Sequence, residues 1–402
     1  MTRDRVLWRR VGGITAVQGA ITLTWVIYAL YLPQLLEQLG FAKEFALVLL
    51  TIEHALEAII EPISGGLSDR FQRFMGTRFP FIAGGVILAS AFFIGIPAIA
   101  IFGESSAIVK SIFPFVVVAW ASAMAVFRSP AVVLLGKTAP PLELPLAASC
   151  LTLIQQLVGA LRFTAYGFIL GLGPAFAFTI GSVALLGGAA CLRFVTPPDL
   201  PQPVESPANA EISADEKITL PTVFLIVGTG VGIAWGLRFL FATLGPVYGS
   251  FLAENAGWGM TGFSLGMAIL ALPAGKLAVK LGNSRGMLVG IGGAIAMLGI
   301  VTFIPSGFVV AIASVLLAFC FSLVLNGMVP YVLGLVSSRR SGLGVGFFFG
   351  GFSAAMSFFD GIFVAVKGIP ATGIRGAIAL AFAGTLIALS LRISKVVEGK
   401  IS

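Results

Sequence analysis

Apolar runs long enough to cross a bilayer recur twelve times along the chain. They lie near 12–36, 44–65, 79–102, 108–130, 145–170, 173–195, 221–250, 257–280, 286–305, 307–333, 342–366 and 370–392. A helix needs ~20 apolar residues to span the hydrocarbon core. Inside that core every backbone N–H and C=O has to be satisfied within the segment, which leaves helices or a closed barrel. Runs of this length and continuity predict helices, so the expected fold class is an all-α membrane protein with twelve transmembrane helices. Charge content agrees: 10% of residues are charged and 58% are hydrophobic, against ~25% charged in ordinary soluble domains. A cytosolic enzyme, a disordered regulator and a secreted disulfide scaffold are excluded. Cys150, Cys191 and Cys320 are far apart in apolar stretches and read as packing residues.

One segment differs from the rest. Residues 196–220, TPPDLPQPVESPANAEISADEKITL, are rich in proline and acid and poor in large apolar groups, as solvated linkers are. The expected organisation is an N-terminal six-helix bundle (1–195), a cytoplasmic linker (196–220) and a C-terminal six-helix bundle (221–402). With both termini inside, 18 of the 25 Lys and Arg residues fall on the inner side. Lys43, Lys110, Lys367 and Arg375 fall outside, and Arg128, Arg162 and Arg238 fall within helices. That bias predicts an integral multi-pass protein of the plasma (inner) membrane with both termini cytoplasmic. It also accounts for the net charge of +8 without nucleic acid, for which no basic run is dense enough. No small-residue cleavage site follows the basic MTRDRVLWRR start, so the first run is expected to be a retained helix.

The two halves repeat weakly. GGLSDR (Gly65–Arg70) follows the second run and GKLAVK (Gly275–Lys280) follows the eighth. SPAVVLLG (Ser129–Gly136) ends the fourth and VPYVLGLV (Val329–Val336) ends the tenth. Matching placement in a six-plus-six plan is the pattern of a duplicated transporter.

The second run carries most of the chemistry. Glu53, Glu57 and Glu61 are spaced i, i+4, i+8 and form one stripe on one helix face. A charged carboxylate costs ~3 kcal/mol at the bilayer centre on insertion scales, so the stripe must face a cavity, a counter-ion or another helix. Like charges one turn apart oppose each other's ionisation, so at least one of the three is expected to hold a proton near neutral pH. Such a stripe suits reversible binding of H⁺, or of Na⁺ through paired carboxylate oxygens. The alternative is that the acids pair with Arg128, Arg162 or Arg238 and simply hold helices together.

Residues Glu57–Ile82, EAIIEPISGGLSDRFQRFMGTRFPFI, resemble the signature of the glycoside–pentoside–hexuronide cation symporters and the related sucrose symporters of the major facilitator superfamily. Glu57, Ala58, Glu61, Pro62, Gly65, Ser68, Asp69, Arg70, Gly76, Arg78 and Pro80 match in register. The resemblance implies the major facilitator fold, two six-helix bundles around a central cavity. It also implies symport by alternating access, with Glu57 and Glu61 carrying the coupling cation and Glu53 assisting. The family has aspartates at the Glu57 and Glu61 positions. Gly65, Asp69, Arg70 and Arg78 would form the gating loop, Asp69 capping a neighbouring helix N-terminus and pairing with an arginine. The second-half copy has Val279 in place of Asp69, which would make this lock one-sided. The sugar pocket is not carried over: Arg128 stands where the family has an acid, and Thr152 where it has an arginine. A second resemblance is to the facilitator-type light-harvesting assembly proteins of photosynthetic bacteria, through LPQLLEQLG (Leu32–Gly40), PLAAS (Pro145–Ser149) and the Ser–Asp–Arg loop. It implies an assembly or pigment-handling factor without solute transport.

Arg128, Arg162 and Arg238 are candidates for gripping an anionic or polar solute, Arg128 foremost because Pro130 breaks helix regularity beside it. They equally suit compensation of the three glutamates and Asp360. Gln18, Trp25, Tyr28, Trp120, Gln155, Gln156, Asn326 and Asp360 are further cavity candidates. His54, the one histidine, reads foremost as a packing residue. There is no nucleophile–base set, no metal-ligand spacing and no phosphate-binding loop, so neither an enzyme nor a cofactor is expected beyond a coupling H⁺ or Na⁺. The expected partners are a small solute and the lipid bilayer; the oligomeric state is left open, and a monomer is plausible.

Overall fold

In the computed structural model the described residues are 5–42, 44–103, 106–196, 218–363 and 368–401; the side chains of Asp360 and of residues 393–401 are outside that set. Among them the regular structure is helical. The first half holds α1 (Trp8–Gln38), α2 (Phe45–Met75), α3 (Phe79–Phe102), α4 (Ala107–Val133), α5 (Leu144–Gly159), α6 (Leu161–Thr164), α7 (Tyr166–Gly171) and α8 (Pro174–Val195). The second half holds α9 (Leu220–Leu252), α10 (Ala256–Leu281), α11 (Asn283–Phe303), α12 (Gly307–Leu335), α13 (Ser341–Phe363) and α14 (Ala371–Ile401).

Ten stretches are long and apolar enough to cross a membrane, and one of them, Leu220–Leu281, contains both α9 and α10. α2 is of spanning length, 31 residues, and stands outside that set because of its acids. Together these make the expected twelve crossings. Most ends fall within four residues of the apolar runs. The main exceptions are α2 and α14, which run on as polar helix to Met75 and Ile401. α2 stops at Gly76, whose φ of 71° is a left-handed conformation that only glycine adopts cheaply. The fifth crossing, expected to be continuous, is broken into α5, α6 and α7. Gly159 weakens the helix where the first break begins.

The halves repeat in their prolines as well as in their motifs. Pro33 in α1 answers Pro246 in α9, Pro62 in α2 answers Pro273 in α10, and Pro130 in α4 answers Pro330 in α12. Each half has its own apolar core. One gathers side chains from Val11 to Leu192 with Val329 of the other half, the other from Ile226 to Ile387 with Val133. The halves meet along α2 against α13 and along α5 against α10. At the first seam the backbones nearly touch: a Cβ on Gly65 would collide with the Gly342 carbonyl, and one on Gly346 with the Glu61 carbonyl. Small residues let helices approach this closely in a membrane. Of the linker 196–220, residues 197–217 lie outside the described residues.

Candidate functional site

The i, i+4, i+8 spacing on α2 delivers the three glutamates to one buried face. Glu53, Glu57 and Glu61 are 0–1% exposed. At the first turn, the Tyr28 hydroxyl of α1 donates to Glu53 Oε1. Glu53 Oε2 is buried with no hydrogen-bond partner. At the middle turn, Glu57 Oε2 accepts from Ser353 Oγ of α13 at 2.8 Å and lies 3.3 Å from His54 Nδ1. Arg128 Nη2 is 3.7 Å from the same oxygen, and Glu57 Oε1 has no hydrogen-bond partner. At the third turn, Glu61 Oε1 accepts from Arg128 Nε at 2.6 Å, and Glu61 Oε2 accepts from the Ser129 hydroxyl.

α4 presents Arg128 and Ser129 on consecutive residues just before Pro130, which has no N–H to give the carbonyl four residues back. Nearby, Ser64 Oγ of α2 donates to the Ala125 carbonyl at 3.4 Å. The Arg128 guanidinium also donates to Ser353 Oγ at 3.3 Å and lies 5.1 Å from the Phe349 ring centre. Arg128 thus ties two glutamates of α2 to α13 in the other half. Of the two readings given to Arg128, this geometry matches compensation of the glutamates, through Glu61 and Glu57. His54 is more than a packing residue, since it reaches Glu57 while stacking on Trp25 at 6.1 Å.

Further along α2 lies the Gly65–Arg78 motif. Asp69 accepts from the backbone N–H groups of Gly342 (2.9 Å) and Leu343 (2.8 Å), at the start of α13. It is paired at 2.5 Å with Arg78 Nη2. Arg78 further donates to Ser68 (3.0 Å), Ser341 (3.1 Å) and Gln72. Cap and ion pair are thus both present, at the end of the helix where the dipole favours an anion. Gly65 belongs here through its contact with Gly342. Arg70 is exposed and takes no part in the network.

Arg162 of α6 and Arg238 of α9 form a separate pair. Both are solvent-exposed although they lie within crossings, and they are close enough to interact electrostatically. The Arg162 guanidinium lies 4.6 Å from the Phe163 ring centre and 5.0 Å from that of Phe241. Arg238 lies 5.3 Å from that of Phe359. Arg162 has no carboxylate within ion-pair distance among the described residues.

The remaining cavity candidates separate. Trp25 and Gln155 are partly exposed. Trp120 is fully buried against Trp25, Tyr28 and Phe93, Asn326 is fully buried and donates to the Ala271 carbonyl at 2.8 Å, and Gln18 is 6% exposed. Trp120 Nε1 and Asn326 Oδ1 are nonetheless buried with no hydrogen-bond partner. The side chain of Asp360 lies outside the described residues. Tyr28 had been placed on the cavity face of α1, but its bond to Glu53 was not expected. Ser129 and Ser353 were missed altogether; their one sequence signal is a hydroxyl set in an otherwise apolar helix. Among the described residues no group of three His, Cys, Asp or Glu side chains is placed to hold a metal ion.

No protein-family model matches the chain. No curated protein matches it in sequence. Solved structures do. A bacterial homologue of the iron transporter ferroportin in an outward-facing state superposes with a TM-score of 0.69 at 15% identity, over 97% of this chain and 100% of that one. The E. coli fucose:proton symporter gives 0.67 at 13% identity, over 96% and 99%. The human organic anion transporter MFSD10 gives 0.66 at 16% identity, over 96% and 98%. The chain has the major facilitator fold. In this fold the acid stripe of α2 lies on the seam with α13, and the Asp69 cap closes one end of that seam.

Proposed function

We propose that the protein is a secondary active transporter that couples H⁺ or another cation to symport of a polar small solute. Alternating access would come from rocking bundle 1–195 against bundle 221–402, joined by the linker 196–220, in the plasma membrane with both termini in the cytoplasm. The observation that carries this reading is the state of Glu57. One of its oxygens is tied to Ser353 across the seam, and the other is buried with no hydrogen-bond partner. With Glu53 Oε2, that leaves two unpartnered buried acceptors on adjacent turns of α2, an arrangement suited to taking up a proton or cation.

Loading that site neutralises charge on the seam itself. The grip of Glu57 on Ser353 and Arg128 then weakens, so occupancy by the cation alters the contact that holds the halves together. On the solute side, Arg162 and Arg238 come from different halves, stand exposed and lie over aromatic rings. They suit a solute with negative or strongly polar groups.

The test is uptake into proteoliposomes under an imposed H⁺ or Na⁺ gradient. Wild type accumulates solute against its gradient, and Glu57→Gln retains downhill flux but loses accumulation. Undiminished accumulation by Glu57→Gln would sink the coupling role. Absence of flux for every solute, with stable co-purification of a pigment complex, would favour the assembly-factor reading instead.

A further inference from the structure

The three glutamates of α2 do not share their partners equally. Glu57 Oε2 meets Ser353 Oγ at 2.8 Å, His54 Nδ1 at 3.3 Å and Arg128 Nη2 at 3.7 Å. Glu61 meets Arg128 Nε at 2.6 Å and the Ser129 hydroxyl. Glu53 has one partner, the Tyr28 hydroxyl on Oε1, and its Oε2 is buried with none. Tyr28 is itself fully buried, its ring centre 4.4 Å from that of Trp120 and 5.7 Å from that of Trp25.

An ionised carboxylate closed off from water and held by one neutral hydroxyl is costly, and such a group takes up a proton instead. Glu57 differs. A hydroxyl, an imidazole and a guanidinium converge on one of its oxygens, and together they hold it ionised. Glu53 Oε2 and Glu57 Oε1 are the two carboxylate oxygens of the stripe without a hydrogen-bond partner, and they belong to adjacent turns of one face. Two ionised carboxylates offer only acceptors to each other and repel. One acid and one carboxylate supply a donor and an acceptor.

We propose that Glu53 is the acid of this pair: it carries a proton on Oε2, and Glu57 Oε1 is the acceptor to which that proton goes. In the hand-over the O–H bond at Glu53 Oε2 breaks and one forms at Glu57 Oε1. The negative charge passes to Glu53, whose Oε1 still accepts from Tyr28. No other reactant is needed. Glu57, now neutral, no longer grips Arg128 and Ser353 as a charged group. Among the described residues the groups facing the pair are Tyr28 from α1, Arg128 from α4, Ser353 from α13, and His54 and Glu61 on α2 itself. The resemblance gave Glu53 an assisting part; its partners make it the store from which Glu57 is loaded. The proton's place on Glu53 does not depend on solute transport, while its use in coupling rests on the proposed symport.

Infrared spectra of the purified full-length protein at neutral pH test this without any solute. Wild type should show carboxylic-acid C=O absorption that Glu53→Gln lowers by one group per chain. Glu57→Gln should keep that absorption and lose carboxylate absorption instead. Tyr28→Phe retains both acids. With one hydrogen bond fewer on its carbonyl oxygen, the Glu53 band should move to higher wavenumber. Acid absorption undiminished in Glu53→Gln, or lowered by one group in Glu57→Gln instead, would overturn the assignment. So would an unmoved band in Tyr28→Phe, which decides the matter if Glu53→Gln does not fold. The expected spectra together with undiminished solute accumulation by Glu57→Gln would leave the proton on Glu53 and sink the coupling role alone.

Discussion

Ser353 donates a 2.8 Å hydrogen bond to Glu57, and the two residues come from opposite halves of the chain. A hydroxyl on a glycine-rich helix thereby ties the second half to a carboxylate of the first. Hydrogen bonds to charged groups are worth ~1.5–3 kcal/mol. Ser353→Ala should lower stability by about that amount in thermal unfolding. In transport assays it should loosen the dependence of flux on the cation gradient while downhill flux persists. A variant that stayed tightly coupled would show that this bond is structural only.

Arg128 lies against Glu61 and Glu57 inside the membrane-spanning region. Removing one partner of a buried pair strands the other charge, at a cost of ~3–5 kcal/mol. Arg128→Gln should therefore be severely destabilised. Arg128→Gln combined with Glu61→Gln should recover part of the loss, with a coupling energy of ~0.5–3 kcal/mol in a double-mutant cycle. Strict additivity would mean that the pair does not interact.

The Asp69 cap can be read at single amides. Gly342 and Leu343 donate their N–H groups to its carboxylate. In Asp69→Ala those two amides should exchange hydrogen for deuterium markedly faster, while amides in the middle of α12 stay protected. Unchanged exchange at Gly342 would show that the cap does not hold the start of α13.

Two glycines give a paired test of the seam. A Cβ at Gly65 would collide with the Gly342 carbonyl, whereas one at Gly84 would meet nothing within 4 Å. Gly65→Ala should cost ~1–3 kcal/mol by forcing the backbones apart. Gly84→Ala, in the interior of α3, should be neutral or gain up to ~1 kcal/mol of helix propensity. Thermal unfolding of the two variants in one detergent measures the contrast.

Twelve crossings were legible because membrane thickness imposes a length on each run, and eleven of those runs are almost free of charge. The stripe was legible for the opposite reason, since acids in such a run are conspicuous at helical spacing. What could not be read was which face of each helix meets which neighbour. Trp120 and Asn326, candidates for the cavity, are fully buried among their own helices. For Arg128 the sequence left solute binding and charge compensation open, and only the fold shows which acids it meets, Glu61 and Glu57. Tyr28, Ser129 and Ser353 gain their roles from contacts 25, 68 and 296 residues away in sequence. A single helix carries no signal of such distances. The Asp69 cap was anticipated only through the resemblance of its motif.

The burial of three glutamates on α2 also bears on how the chain is made. Their counter-ion, Arg128, is synthesised two crossings later. At ~2.5–3.5 kcal/mol for a charged residue at the centre of a spanning helix, α2 emerging alone is a poor candidate for release into lipid. It becomes an acceptable one when α4 arrives with its arginine. Insertion of the first four crossings is then expected to be a joint event rather than a sequence of independent ones. Chains truncated before residue 106 should leave α2 incompletely integrated in glycosylation-mapping experiments, and chains extended past residue 137 should restore it. The same ion pair that joins α4 to α2 in the finished protein would act as a checkpoint during its assembly.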